Sequence, residues 1–480
     1  SRILSPISES TAPCCHAGRD GREDSGAYGF VGVAATMVAR RKQMGESGDS
    51  RGRLGLDAKP GWAQGCGVMN LDTIDIKAVA RDFGTPFYLY DLDSALAHLH
   101  ALQAGLPDYV DVYFAMKANS NPDVLRAWLG HVAGLDVSSA GEIEMAVAAG
   151  HSPSAMSFAG PGKTEQELRV AIERQVRLLS IESPTELRRA SKVATELGKT
   201  ATIAIRINPQ FTPKEFTMKM GGTPSQFGTA EEDAPALLEE AKTTKGVRLD
   251  GIHIFSGTQC LEIKGIIDNI RQTLAIASRL SEEHDLRPSF VNLGGGFGVP
   301  YFAGQEAIDV HALAREVGEL LRQAPTEHPR LRDTRFILEL GRFLIGTFGI
   351  YVARVVDVKQ TRGKRFVVLD GGMHHCFPAT GFFGQLVKKN YPVVNLSRAD
   401  GEPMAQELVG PLCTPMDSMA RNITLPRLEI DDLVGILSAG AYCYAASPLL
   451  FLGHETPPEI VVYEGAYKLS RARKAPTQLV

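Results

Sequence analysis

Beyond residue 70 the chain alternates short apolar runs with longer stretches in which apolar residues return every three or four positions. The runs 110–117, 134–138, 155–158, 178–181, 202–207, 251–255, 290–293 and 336–339 have the β-branched and aromatic content of buried strands. Stretches such as 140–149, 164–174, 183–196 and 261–283 between them are amphipathic at helical spacing. Strand-helix units in such a series predict an α/β fold, a (β/α)8 TIM-like barrel of roughly 250 residues, placed here at 91–345. Upstream, Ile76, Val79, Ala80 and Phe83 have helical spacing, stopped by Gly84-Thr85-Pro86. Residues 87–90 read as a strand, and Asp91 opens a helix to Ala104 that Gly105 is placed to cap. The segment 70–90 is thus a helix and strand, expected to join a C-terminal β domain. After Gly341 the rhythm changes. Residues 350–359, 365–369, 433–438 and 459–463 are β-rich and separated by Gly, Pro and Asp turns. They predict an all-β domain, a Greek-key barrel or sandwich, over 346–480.

Composition narrows the function. A formal charge of -4 with 22% charged residues gives no polyanion-binding signature, so no nucleic-acid partner is expected. No apolar stretch approaches the roughly 18–20 residues of a membrane span. The seven cysteines, with Cys14 and Cys15 adjacent, form neither a disulfide framework nor a paired metal-ligand pattern. A cytoplasmic enzyme without a metal is the expectation. Residues 1–69 are rich in Gly, Ser and Arg, and their one apolar run, 29–39, is too short and too late for a signal peptide. They read as a disordered extension, with an overlong or vector-derived start and a regulatory tail as the other readings.

Barrel active sites gather at the carboxyl ends of the strands. Those ends carry Lys117, then Asp136, Arg206, His253 with Ser256, Gly294-Gly295-Gly296, and Glu339-Leu340-Gly341-Arg342. Together they suit pyridoxal phosphate. Lys117 would bond the aldehyde, and the glycines would let backbone N–H groups approach the phosphate beside the Ser256 hydroxyl. His253 would stack on the pyridine face, and Glu339 would keep the ring nitrogen protonated, making the ring an electron sink. Singly, each has a plainer reading: a snorkelling lysine, a glycine turn, a satisfied core histidine, a Glu339–Arg342 ion pair.

The chain resembles the fold-type III pyridoxal-phosphate decarboxylases, which include ornithine, arginine and diaminopimelate decarboxylases. The motifs are Tyr113-Phe-Ala-Met-Lys117-Ala-Asn119, Asp136-Val-Ser-Ser-Ala-Gly-Glu142, His253-Ile-Phe-Ser256-Gly257, Gly294-Gly-Gly-Phe-Gly298, Glu339-Leu-Gly-Arg342, Gly410-Pro-Leu-Cys413 and Gly440-Ala-Tyr442. The resemblance implies a barrel followed by a β domain and a head-to-tail homodimer in which Cys413 enters the neighbouring site. It implies that Lys117 carries the cofactor and Glu339 partners the pyridine nitrogen. Ser256, Gly295, Gly296, Gly341, Arg342 and Tyr442 would be cofactor and phosphate contacts, His253 the stacking residue and Arg206 a support on the ring-hydroxyl side. Asp136 and Glu142 match acidic positions around the lysine. Cys413 resembles the residue that returns a proton to the α-carbon, and its plainer reading is a packing thiol.

Diamine-forming members carry a carboxylate directly after that cysteine, where this chain has Thr414. A buried ammonium left unpaired there would cost several kcal/mol, and Asp417 matches an aspartate the family already has. The stretches Lys219-Met-Gly-Gly222, Gln226-Phe-Gly228, Asp370-Gly-Gly-Met-His-His375 and Phe451-Leu-Gly-His454 resemble the glutamyl-[acyl-carrier protein] decarboxylases of butirosin-type antibiotic biosynthesis. That likeness implies a carrier-bound aminoacyl thioester as substrate, an acyl-carrier protein as partner, and Thr414, His374 and His375 near the substrate. Arg362, Lys364, Arg365, Lys388 and Lys389 are candidates for a basic docking rim. The alternatives are a decarboxylase of a free amino acid, a citryl-amino acid conjugate of siderophore type, or diaminopimelate. An amino-acid racemase would place arginine where Glu339 stands, and a catalytically dead homologue would not need Lys117, Glu339, Cys413 and Tyr442.

Overall fold

Polar residues at the helix starts punctuate the first half of the molecule. The computed structural model describes residues 68–478 apart from 213, 382–387 and 399. Of the expected extension at 1–69, only 68 and 69 fall among the described residues, and the run 29–39 lies outside them. Asp91, Asn121, Ser139, Thr164 and Ser183 each accept a backbone N–H with the side chain. They open helices α2 (Leu92–Gln103), α3 (Pro122–Ala127), α4 (Ala140–Ala148), α5 (Glu165–Glu173) and α6 (Pro184–Glu196), which follow α1 (Ile76–Phe83). The Thr164 helix has a full capping box with Glu167.

Strand β1 (Phe87–Asp91) precedes the barrel. The barrel strands are β2 (Val110–Ala115), β3 (Gly134–Val137), β4 (Met156–Phe158), β5 (Leu178–Ile181), β6 (Ala201–Asn208), β7 (Val247–Ile254), β8 (Phe290–Gly295) and β9 (Arg335–Leu340). Each pairs in parallel with the next, and β9 closes on β2. Helices α7 (Ala234–Thr243), α8 (Ile263–Glu283), α9 (Val310–Glu327) and the short α10 (Arg342–Ile345) complete the alternation. The (β/α)8 barrel expected from the sequence is the one observed. Several strand ends differ by a few residues, and one bears on the site: the first barrel strand stops at Ala115, and Met116–Ala118 form a 3-10 turn. Asn119 closes that turn with its N–H on Met116 O, and its side chain accepts Asn121 N–H.

The second sheet is built on β10 (Gly349–Thr361), whose length lets it pair with β1, β11 (Lys364–Leu369) and β15 (Leu433–Ile436). The others are β12 (Val393–Asn395), β13 (Pro403–Val409), β14 (Ser418–Pro426), β16 (Glu459–Tyr463) and β17 (Ala466–Arg471). Strand β1 sits between β10 and β16, so the sheet includes a strand that comes before the barrel in the chain. The pattern 346–480 shows less strongly at β13 and β14, because only three residues in each are fully buried.

The two parts meet at a glycine. A Cβ on Gly440 would lie 1.9 Å from Ile345 O, so no larger residue fits. Gly440 O accepts from Asn119 Nδ2 at 2.9 Å, and Tyr442 N–H donates to Ala118 O at 2.7 Å. The β domain is thereby tied to the turn that carries Lys117. Among the described residues, no helix is long and apolar enough to cross a membrane.

His98 on α2 lies between the rings of Phe343 and Phe348, at 4.6 and 5.3 Å. Burial, with a smaller push from His311, lowers its pKa from 6.5 to about 4. The unfolded chain therefore binds a proton near pH 6.5 that the folded chain refuses until about pH 4, and stability is lost as pH falls through that window. His98→Phe should remove this loss. Relative to wild type, its unfolding free energy should gain about 1–2 kcal/mol at pH 5 over its value at pH 8. Urea titrations at the two pH values measure this, and an equal difference at both would refute it.

Candidate active site

The closed barrel sets the strand that leads to Lys117 between those that end in Asp136 and Glu339. Ala115 is opposite Asp136 and Tyr113 opposite Glu339. The 3-10 turn swings Lys117 out of the strand direction, and its Nζ bonds Asp136 Oδ2 at 2.9 Å. The Lys117 side chain stays 40% accessible because it faces a cavity. That cavity holds about 310 Å³ and is lined by Lys117, Arg206, Phe227, His253, Glu339 and Tyr442 among others. A narrower recess beside it is bounded by Lys117, Gly296, Glu339, Gly341, Arg342 and Tyr442.

Charge is distributed unevenly within this group. Burial works against the Lys117 ammonium, but the carboxylates of Asp136 and Glu339 outweigh it and hold its pKa above the usual lysine value. Burial and the neighbouring Glu339 raise Asp136, against the pull of Lys117. Burial also acts to raise Glu339, yet the His253 contact, the Lys117 charge and an Asn292 hydrogen bond drive it well below the carboxylate range. Glu339 is therefore an anion, 3.4 Å from His253 Nε2 and 2.5 Å from Asn292 Nδ2. His253 Nδ1 pairs with Ser180 Oγ at 2.8 Å.

Arg342 donates to Tyr301 OH at 2.9 Å and stacks on Tyr442, its Cζ 4.7 Å from the ring centre. Tyr442 has φ 65°, a strained backbone held by its bond to Ala118. Gly295 is pressed on β9, where a Cβ would lie 1.9 Å from Glu339 O. Gly296 has φ 86°, and a Cβ there would lie 2.2 Å from Gly257 O.

Other candidate residues lie elsewhere. Cys413 is exposed on the loop between β13 and β14, outside its own chain's cavity, with Thr414 beside it. Asp417 is buried and holds that loop: its carboxylate accepts Met373 N–H at 2.7 Å and Leu412 N–H at 2.8 Å. His374 and His375 were expected near the substrate, but they are 0 and 2% exposed and do not reach the cavity. His374 is packed between the rings of His375 and His454, and His375 bonds Glu455 O. Glu142 accepts Ser138 N–H at the start of α4. Of the expected docking rim, Lys364 pairs with Glu407 and Arg365 with Glu429.

The strand-end pattern does not single out Ser180, Glu182, Asn292 or Tyr301. Glu182 directly follows β5 and binds Arg206 at 2.9 Å, so its position was the available signal. Asn292 and Ser180 point inward from strands and carry no motif.

The residues fit a phosphorylated pyridine aldehyde. Among the described residues, Ser256 Oγ and Arg342 Nε are buried without a hydrogen-bond partner. With the close-packed Gly295 and Gly296 they offer donors for a phosphate, while Lys117 offers an amine and Glu339 an anion for a protonated ring nitrogen.

Comparison with known proteins agrees. Residues 92–346 match the family described as pyridoxal-dependent decarboxylase, pyridoxal binding domain. The chain is 37% identical to the L-glutamyl-[BtrI acyl-carrier protein] decarboxylase of Niallia circulans, over 86% of this chain and 96% of that protein. It is 31% identical to a 2-[(L-alanin-3-ylcarbamoyl)methyl]-2-hydroxybutanedioate decarboxylase of Staphylococcus aureus, over 77% of this chain and 92% of that one. In structure it is similar to diaminopimelate decarboxylase from Helicobacter pylori complexed with L-lysine. The TM-score is 0.75 at 27% identity, over 84% of this chain and 98% of that one.

The Asp417 clamp is open to test. Asp417→Ala leaves two buried N–H groups unpaired and should cost about 2 kcal/mol in unfolding free energy. Limited proteolysis should then cut within 410–416 in the otherwise folded protein. An unchanged urea midpoint and an uncut loop would show that the clamp does not hold the cysteine loop.

Proposed function

The chain belongs to the pyridoxal-dependent decarboxylases, and from that premise we propose that it removes the α-carboxyl group of a glutamyl or similar aminoacyl thioester carried on an acyl-carrier protein. The observation that carries this is the distal end of the site. Thr414 stands where diamine-forming members have a carboxylate, and Asp417, the nearest acid in sequence, has both oxygens bonded to backbone N–H groups. A neutral thioester suits such a site, and a second ammonium does not. The likeness to the Niallia circulans decarboxylase supports the same substrate class.

Pyridoxal phosphate, when bound, supplies an aldehyde for the substrate amine and a ring that accepts the electron pair left as carbon dioxide departs. Ser256 Oγ, the N–H groups of Gly295 and Gly296, and Arg342 would hold the phosphate. Glu339, anionic and braced by Asn292 and His253, would keep a proton on the ring nitrogen. Asp136, 2.9 Å from Lys117 Nζ, stands where it can take and return the proton that Lys117 must shed to act as an amine. Phe227 and Tyr442 would line the cofactor cavity with aromatic surface. Cys413 lies outside its own chain's cavity, which supports a head-to-tail pair in which the thiol of one copy reaches the other's site and protonates the α-carbon.

Mass spectrometry of a glutamyl-loaded carrier protein, before and after incubation with the holoenzyme, tests the substrate. The carrier should lose one carboxyl group as carbon dioxide, while free ornithine, lysine and glutamate stay unchanged. Turnover of a free citryl-amino acid conjugate instead would overturn the carrier assignment. Lys117→Ala should abolish turnover, and a residual rate close to wild type would remove it from the reaction.

Cys413→Ala should slow turnover about 10²-fold or more, as loss of a proton donor does. Mixing the two inactive variants should restore activity, since one of the two shared sites then keeps both side chains. No recovery would place Cys413 outside a shared site.

A further inference from the structure

Beside the cavity, Lys163, Glu182 and Glu186 are 3, 5 and 4% exposed and join Arg206 in a closed group of two cations and two anions. Glu182 is its hub. Oε1 accepts from Arg206 Nη1 at 2.9 Å and from Gly160 N–H at 2.8 Å, and Oε2 accepts from Gly228 N–H at 2.9 Å. Its own N–H donates to Glu186 Oε2 at 2.8 Å. Glu186 Oε1 in turn lies 2.7 Å from Lys163 Nζ, which also donates to Gly160 O at 2.7 Å. Gly160 is therefore gripped at both its N–H and its C=O. Gly160, Pro161, Arg206 and Phe227 line the cavity, and Glu182 stands behind them. Arg206 also rests on Phe227, its Cζ 5.2 Å from the ring centre.

Burying four charges adds little net stability even when they are paired, so packing alone does not account for the group. Its effect is geometric. Three cavity-wall segments well separated in sequence, those after β4, at the end of β6 and around Gly228, converge on one carboxylate.

We infer that Glu182 is a positioning residue: it fixes Arg206 and draws the Gly160 and Gly228 loops onto the cavity, while cancelling the Arg206 charge. The inference rests on the decarboxylase reading for what fills the cavity, but not for how the wall is held. A carboxylate is needed because three donors face it. A glutamine offers one acceptor oxygen and turns an N–H on the remaining partners.

Hydrogen exchange of Glu182→Gln, with and without cofactor, is the direct test. Exchange in peptides covering 159–161 and 227–229 should rise about tenfold or more, with the barrel strands unchanged. Kinetics on the carrier-bound substrate should show kcat lowered about 10²-fold and KM within about threefold of wild type. A purely structural role would lower the urea midpoint and leave the kcat of the folded fraction at its wild-type value, overturning the assignment. Exchange that is unchanged, or raised equally everywhere, overturns it too. Should Glu182→Gln not accumulate as folded protein, Glu182→Asp keeps the charge but withdraws it by one methylene, and the same local exchange is expected. If wild-type enzyme leaves the loaded carrier intact, the substrate reading fails while the exchange data still decide the role of Glu182.

Discussion

A single ammonium between two buried carboxylates is the interaction on which the site depends. Strand β2 lies between β3 and β9, so the turn after it must face Asp136 on one side and Glu339 on the other. Both acids are nearly inaccessible to water, and each raises the cost of ionising its neighbour. Lys117 offsets that repulsion while remaining open to the cavity. The parallel barrel creates this geometry through strand order alone. The uneven result, Asp136 raised and Glu339 lowered, follows from what surrounds each: the His253 contact and the Asn292 hydrogen bond outweigh burial at Glu339, whereas burial and the neighbouring Glu339 outweigh Lys117 at Asp136.

The β domain completes the site without supplying its charge. It delivers Tyr442 on a turn that docks on the lysine turn through Ala118 and Asn119, and the close approach is possible because residue 440 has no side chain. The strained backbone at Tyr442 is the counterpart of that docking. Asp417 of the same domain organises the cysteine loop, where Cys413 is exposed and does not line the chain's own cavity. One face of the domain thus closes a site in its own chain, while another presents a thiol outward.

The barrel was legible because parallel strands are buried on both faces and read as apolar runs, and because the stretches between them are amphipathic at helical spacing. The polar residues that end those runs stood out for the same reason, and the structure brings Lys117, Asp136, His253, Glu339 and Arg342 to one barrel mouth. The burial of His374 and His375 was not legible, because it comes from stacking against His454, 80 residues from His374. Glu182 passed unnoticed for the opposite reason. Its donors come from 22, 24 and 46 residues away, and no local pattern encodes them.

Local chemistry along the chain determined by itself the alternation of strands and helices, the change of rhythm after Gly341, and the identity of the groups at the strand ends. Those features depend on neighbours a few residues apart, through side-chain periodicity, capping and turn-forming residues. Only the tertiary structure decided which charges share a cavity, which are spent on holding loops, and which side chains are out of reach of a ligand. Desolvation and hydrogen bonding act through space, between residues such as Asn119 and Gly440 that lie 321 positions apart, and only closure of the fold sets them side by side.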